Sequence, residues 1–243
     1  MLSEQEQIRQ VRRIFNRVVP VYDLLNHLLS LGEDRRWRRF VARALRPGPT
    51  GRVLDVATGT GDLALALAAR PERPLVVGLD LVPAMLRPAR RKVRRRGARV
   101  RLLAGDALAL PFPAASFDAV TIAFGIRNIP RRVQAMAEMR RVLIPGGRLY
   151  LLEFGSPGGR LRELYLPYLQ RLLPRLGGLV SGDAASYRYL ADTIMAFPSP
   201  PAFRREMSRA GLVGCRSYPL TRGVAWLHVG ERPLRLDSTA PPA

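Results

Sequence analysis

The sequence predicts an α/β fold, a mostly parallel, doubly wound sheet that ends in an antiparallel hairpin. Three observations carry that prediction. From residue 52 onward, short apolar runs alternate with segments of helical periodicity. The first of these runs leads into a glycine-rich turn, "VATGTGDL". Near the end of the chain, "GCRSYPLTRGVAWLHVGERP" reads as two β-prone runs joined by a turn.

The elements follow in order. Residues 1 to about 46 place apolar side chains at helical spacing in "IRQVRRIFNRVVPVYDLLNHLL" and "RRWRRFVARAL", which predicts an N-terminal helical lid. "PGPTG" at 47–51 breaks the chain before the strand "RVLDV" and the helix "DLALALAAR". "LVVGLDL" is a second strand, and "PAMLRPARRKVRRRG" a helix with its basic face outward. "VRLLAGDA", "FDAVTIAFG" and "RLYLLEFG" are the third, fourth and fifth strands, with "RVQAMAEMRRVL" a helix and "PGG" a turn before the fifth. Residues 156 to about 200 read as helices broken by proline and glycine, among them Pro167 and Pro174, and form an inserted cap. One domain over 1–234 is expected, and 235–243 reads as a frayed, disordered tail.

Composition excludes several classes. Apolar residues make up 47% of the 243, too many for a disordered chain. Arginines interrupt every apolar run before it reaches the length of a membrane span. The polar start "MLSEQEQIRQ" is unlike a secretory signal, so a cytoplasmic protein is expected. Cys215 is the single cysteine, and His27 and His228 lie far apart, so neither a disulfide nor a metal site is expected. Forty basic against nineteen acidic residues give a charge of +21, with Lys92 the one lysine. Such a field attracts nucleic acid, anionic lipid or acidic ligands, and arginine-biased codon usage produces it equally well. The arginines are scattered and no nucleic-acid-binding signature accompanies them.

The chemistry concentrates at strand ends. Gly59 and Gly61 let backbone approach a ligand at a strand-to-helix turn, without the spacing of a dinucleotide fingerprint. Asp55 precedes that turn, and Asp80 and Asp106 follow the next two strands. A carboxylate such as Asp80 can accept both hydroxyls of a ribose, and Asp106 with the Ala107 amide can read an adenine edge. Taken singly, each acid is more readily a cap or turn residue; all three behind one glycine turn point to a bound nucleoside. "LDVATGTGDL" resembles the first motif of class I S-adenosylmethionine-dependent methyltransferases, with Ala57 where the commonest pattern has glycine.

Further segments tighten that resemblance. "YDLLN" (22–26), "RRWRRF", "LPFPAASFDAVTIAFGIRNIP", "RVLIPGGRLYLLEF", "DAASYRYLADTI" and "GVAWLHVG" together are similar to the UbiE/MenG family, across roughly residues 10–232. Its members are the C-methyltransferases of menaquinone and ubiquinone biosynthesis. The resemblance implies a Rossmann-like class I methyltransferase fold, S-adenosylmethionine as methyl donor and a polyprenylated quinol as acceptor. Demethylmenaquinol is the expected acceptor and a ubiquinone precursor the alternative, since the family serves both and the motifs do not separate them; the charge of +21 carries the reading from another class, an RNA methyltransferase or nucleic-acid-binding protein. Asp55, Thr58, Gly59, Thr60, Gly61, Asp80, Leu81, Asp106, Ala107 and Ala123 are then the expected cofactor residues.

For catalysis the resemblance points to Arg127 and Asn128, with Tyr22, Asp183 and Tyr187 as further candidates. Guanidinium stays protonated, so Arg127 suits a fixed positive charge beside a phenolate; the alternative is that it pairs with an acid inside the fold. Asn128 would bind the second ring oxygen, Tyr22 would close over the cofactor, and Asp183 is the more plausible proton acceptor. His228, on an alternating strand, reads as structural and Cys215 as inert. The arginine-rich, leucine-rich "LRELYLPYLQRLLPRLGGLV" reads as a helical cap and as a surface for peripheral contact with anionic membrane. A homodimer is compatible with the sequence.

Overall fold

The chain was analysed as a computed structural model, which describes residues 4–19, 22, 23, 27, 30, 32–46, 48–172, 175 and 184–234. The apolar runs form β1 (Arg52–Val56), β2 (Leu75–Asp80), β3 (Val100–Ala104), β4 (Phe117–Ala123) and β5 (Leu143–Phe154). The terminal hairpin is β6 (Val213–Leu220) and β7 (Ala225–Glu231). These seven make one sheet in the order β3-β2-β1-β4-β5-β7-β6, in which β1 to β5 pair in parallel and β7 runs antiparallel to both neighbours. The predicted doubly wound sheet is present.

The helices are α1 (Glu4–Val18), α2 (Glu33–Ala44), α3 (Asp62–Ala68), α4 (Pro83–Arg96), α5 (Arg132–Val142), α6 (Gly159–Pro167), α7 (Ala184–Met195) and α8 (Pro200–Arg209). Strand alternation divides the core between the two faces of the sheet. Leu54, Val120, Leu149 and Leu151 face Met136 and Met139 of α5 and Phe203 and Met207 of α8. Val53, Ala119, Tyr150 and Leu152 face Trp37 and Val41 of α2 and Leu63 and Leu67 of α3. The β7 residue His228 is buried, its Nδ1 lies 2.8 Å from Ser217 Oγ, and burial helped by Arg204 pushes its pKa down to about 4. Burial pushes the Cys215 thiol up, away from reactivity.

Two boundaries differ from the sequence reading. "PGG" was expected to turn the chain ahead of the fifth strand, yet β5 begins at Leu143 and runs through it. Leu143 already pairs with Phe117, and the register then jumps so that Ala119 meets Arg148. The three residues are a bulge inside the strand, where Gly147 passes so close to the Asp118 carbonyl that a Cβ would lie 2.9 Å from it. The second difference is at β3, which stops at Ala104, leaving Asp106 beyond it in a short bridge to Ala109.

The start of β1 is pinned from β4. Asp118 accepts from the Thr50 amide (2.9 Å), the Thr50 hydroxyl (2.8 Å) and the Arg52 amide (2.8 Å). That fixes the register of the strand that delivers the glycine-rich turn. Of the expected cap, α6 ends at Pro167 in a π-helical turn, Tyr168–Leu172, while Pro174 lies outside the described residues, as does the tail 235–243. Among the described residues no helix is long and apolar enough to cross a membrane.

Candidate active site

Strand order reverses between β1 and β4, and a crevice opens at the C-terminal ends of the strands around that point. Gly59, Asp80, Leu81, Asp106, Ala107, Ala123 and Asn128 line it, and Phe15 and Tyr22 of the N-terminal segment close over it. An adjoining recess is lined by Asp55, Thr58, Thr60 and the buried Arg38. Gly61 stands at the N-cap of α3. The sequence-derived cofactor residues thus converge on one place.

The glycine turn is held by backbone geometry. Gly59 (φ 57°) and Gly61 (φ 82°) occupy left-handed conformations that their missing Cβ permits. Ala57, at the position where glycine is commonest, is also left-handed with φ 51°, which costs about 1–2 kcal/mol for a residue with a Cβ. Gly125 makes room for it: a Cβ at position 125 would stand 2.7 Å from the Ala57 methyl. The alanine in the first motif and the glycine of "FGIRN" are therefore a matched pair.

Two buried carboxylates set the turn. Asp80 accepts the Gly59 amide at 2.7 Å and the Val82 amide at 2.8 Å, joining the glycine turn to the entry of α4. An ionised carboxylate can accept about four hydrogen bonds, so capacity remains for a ribose diol. Burial raises the Asp80 pKa and the two amides oppose that rise. Beneath it, Asp55 accepts the Thr58 hydroxyl at 2.6 Å and the Thr121 hydroxyl at 2.7 Å. Burial pushes Asp55 up to about 6, against those hydroxyls and the charge of Arg38. Asp106 accepts the Leu108 amide at 2.9 Å, which shapes the turn that presents Ala107 to the crevice.

The N-terminal segment is tied to this turn. Asp23 accepts the Thr60 hydroxyl and lies 2.6 Å from Lys92, which also reaches Asp62 at 2.6 Å. Tyr22, beside Asp23, faces the crevice with its ring 6.1 Å from that of Phe15. The remaining residues of "YDLLN" lie outside the described residues.

On the far side of the crevice, β4 is followed by Phe124, a bulky residue held at φ 56°. Its ring packs among Trp37, Phe154 and the Arg38 guanidinium, which hold it in that conformation. The turn Ile126–Asn128 follows and presents Asn128 to the crevice. Arg127 does have the internal acid partner that the sequence left as an alternative. Its Nη1 donates to Glu153 Oε1 at 2.7 Å and to the Phe124 carbonyl, and its amide donates to Glu153 Oε2 at 3.3 Å. Glu153 is fully buried and the Arg127 side chain 7% exposed, so removing either partner would strand a buried charge.

Tyr187 packs in a small core with Leu169, Ala191 and Ile194. Two residues on, Tyr189 faces elsewhere on α7, because positions two apart in a helix do not share a face; its hydroxyl donates to Asn128 Oδ1 at 3.3 Å. Asp183 lies outside the described residues. Sequence reasoning passed over Glu153, Tyr189, Arg38 and the Asp23–Lys92 clasp. Glu153 carried a signal, an acid near the end of the otherwise apolar "YLLEF", the same pattern that pointed to Asp55.

Asp55 makes a pH prediction. Its folded pKa of about 6 exceeds the unfolded one, so between about pH 4 and 6 the native chain binds more protons and this carboxyl's contribution to stability falls as pH rises. His228 opposes it, since its depressed pKa makes its contribution fall as pH drops from about 6.5 towards 4. Comparison with Asp55→Asn isolates the first effect. Between pH 4 and 7 the variant should gain about 2 kcal/mol relative to the parent chain in urea unfolding. A difference that stays constant over that range would contradict the assignment.

Comparison with known proteins narrows the chemistry. Solved structures share the fold at low identity. A SAM-dependent methyltransferase from Thermotoga maritima has a TM-score of 0.63 and 18% identity, covering 90% of this chain and 99% of its own. The [4+2]-cyclase SpnF matches equally well at 0.63 and 19%, covering 93% and 96%, so the fold alone leaves the reaction open. Sequence relatives are closer. A demethylmenaquinone methyltransferase from Thermus thermophilus is 54% identical over 222 residues, covering 90% of this chain and all of the relative. One from Deinococcus radiodurans is 47% identical over 231 residues, covering 95% of each. A ubiquinone/menaquinone biosynthesis C-methyltransferase UbiE from Geobacter sp. is 42% identical over 236 residues, covering 96% of this chain and all of the relative. The profile of the ubiE/COQ5 methyltransferase family matches residues 1–232, and the chain belongs to that family.

Proposed function

We propose that the protein methylates a ring carbon of demethylmenaquinol with S-adenosylmethionine, producing menaquinol. The observation that carries this is near full-length identity to two demethylmenaquinone methyltransferases, of 54% and 47%. The crevice supports it, with Asp80 for the ribose hydroxyls, Asp106 and Ala107 for the adenine edge, and the Gly59–Gly61 turn for the amino-acid portion. Tyr22 covers the donor. These relatives do not favour a ubiquinone precursor as the main acceptor, nor RNA.

S-adenosylmethionine supplies a methyl group already activated on a sulfonium. What remains for the chain is to orient the quinol, favour its phenolate and let the ring proton leave. A phenolate oxygen raises electron density on the adjacent ring carbon; that carbon bonds to the methyl as the carbon–sulfur bond breaks, and loss of its proton restores aromaticity. Arg127 suits the phenolate as a fixed positive charge: it cannot act as a base, and Glu153 holds it in one pose. Asn128, on the crevice wall, binds a ring oxygen. Asp183 remains the proposed proton acceptor.

The polyprenyl tail favours a membrane-facing side. Leu164 is 73% exposed, and Leu172 and Met195 are exposed too. Around them Arg162, Arg171, Arg175 and Arg188 are exposed cations. This surface rests reversibly on anionic lipid, without a spanning segment.

Two measurements test these readings. Label from S-adenosylmethionine should enter reduced demethylmenaquinol in preference to a ubiquinone precursor, with none in bulk RNA; label in RNA alone would overturn the assignment. In the same assay Arg127→Lys, which keeps the charge but loses the planar fork, should lower kcat by about tenfold or more. Near-normal turnover would remove Arg127 from its role. Sedimentation with vesicles should show binding to anionic lipid that weakens as salt rises, whereas equal binding to neutral vesicles would argue against an electrostatic contact.

A further inference from the structure

Asn128 is the polar side chain that the turn after β4 presents to the crevice, and an amide has two different ends. Its Oδ1 only accepts and its Nδ2 only donates, so the chemistry it offers an acceptor oxygen depends on which end faces the ligand. On a bare turn both orientations are open. Here α7 closes over the turn, and the Tyr189 hydroxyl donates to Asn128 Oδ1 at 3.3 Å. That bond engages the accepting end and leaves the Nδ2–H groups for the ligand.

Arg127 stands beside Asn128 in the same turn as a buried cation. Its Nη1 is engaged by Glu153 and the Phe124 carbonyl, whereas its Nε–H is buried and has no hydrogen-bond partner among the described residues. The guanidinium acts electrostatically on both Tyr165 and Tyr189, so these rings lie within its field. Burial raises the pKa of both phenols and keeps them neutral, so Tyr189 retains the proton that it donates.

We infer that Tyr189 is a positioning residue for methyl transfer, fixing the Asn128 amide so that its Nδ2–H end is the one turned to the acceptor oxygen. A donor held there, beside the Arg127 charge, favours an oxygen bearing negative charge over a protonated one, which is the form in which the neighbouring ring carbon is nucleophilic. Tyr189 acts through Asn128, without contact with the reacting atoms. The inference rests on the quinol-methylating reading given above.

A double-mutant cycle tests it. Tyr189→Phe keeps the ring and removes only the hydroxyl, and Asn128→Ala removes the amide. In the otherwise unchanged chain, Tyr189→Phe should lower kcat for demethylmenaquinol about tenfold, with the KM for S-adenosylmethionine and the urea midpoint unchanged. In the Asn128→Ala background the same change should cost less than about twofold, because the group it positions is gone. Equal losses in both backgrounds, or no loss in the first, would overturn the proposal. Failure of the unsubstituted chain to methylate the quinol would instead overturn the reading beneath it.

Discussion

The Asp80 carboxylate is the constraint on which the rest of the site depends. One oxygen takes the Gly59 amide and the other the Val82 amide, so a single side chain ties the turn after β1 to the entry of α4. Both loops rise from adjacent parallel strands, where no turn or hairpin connects them directly. Without that carboxylate each loop would have its own freedom and the crevice no fixed floor. The arrangement places a charge where burial disfavours it, and the amides compensate by hydrogen bonding to the ionised form. Asp55 braces the same turn through Thr58 and Thr121 and is left with a pKa of about 6.

The two sides of the crevice were unequally legible in the sequence. The proposed cofactor side depends on local rules: a strand, a glycine turn, a helix, and an acid at the end of the next strand. Such features lie within a few residues of one another, so spacing alone exposes them. The proposed acceptor side is assembled from β4, β5 and α7, which are distant in sequence. Arg127 could be seen at a strand end, but its partner Glu153 is 26 residues away and shows itself only once β4 and β5 pair. Tyr187 and Tyr189 could not be told apart without knowing which face of α7 turns towards the sheet. The "PGG" bulge was misread for a related reason, since proline and glycine mark both turns and bulges and only the pairing partner decides.

Strain and substitution also connect the two sides. Ala57 and Phe124 both sit at positive φ, one in the turn after β1 and one at the end of β4, where the strands are neighbours. Gly125 accommodates the first, and the aromatic group of Trp37 and Phe154 holds the second. The departure from the usual glycine at position 57 is thus absorbed within the "FGIRN" segment itself. A fold shared with a [4+2]-cyclase does not dictate this detail. What separates one chemistry from another on such a sheet is the site it carries, not the sheet itself.

The most direct test of the account is calorimetric titration of S-adenosylhomocysteine into the unsubstituted chain and into Asp80→Asn at neutral pH. The substituted amide keeps one acceptor, loses the charge and turns a donor towards a backbone amide that also donates. One site per chain is expected, weakened by roughly 100-fold in the variant, the loss of a charged hydrogen bond or two. Equal affinity in the two proteins would contradict the central claim, and would mean that the nucleoside is held by something other than the carboxylate at the end of β2.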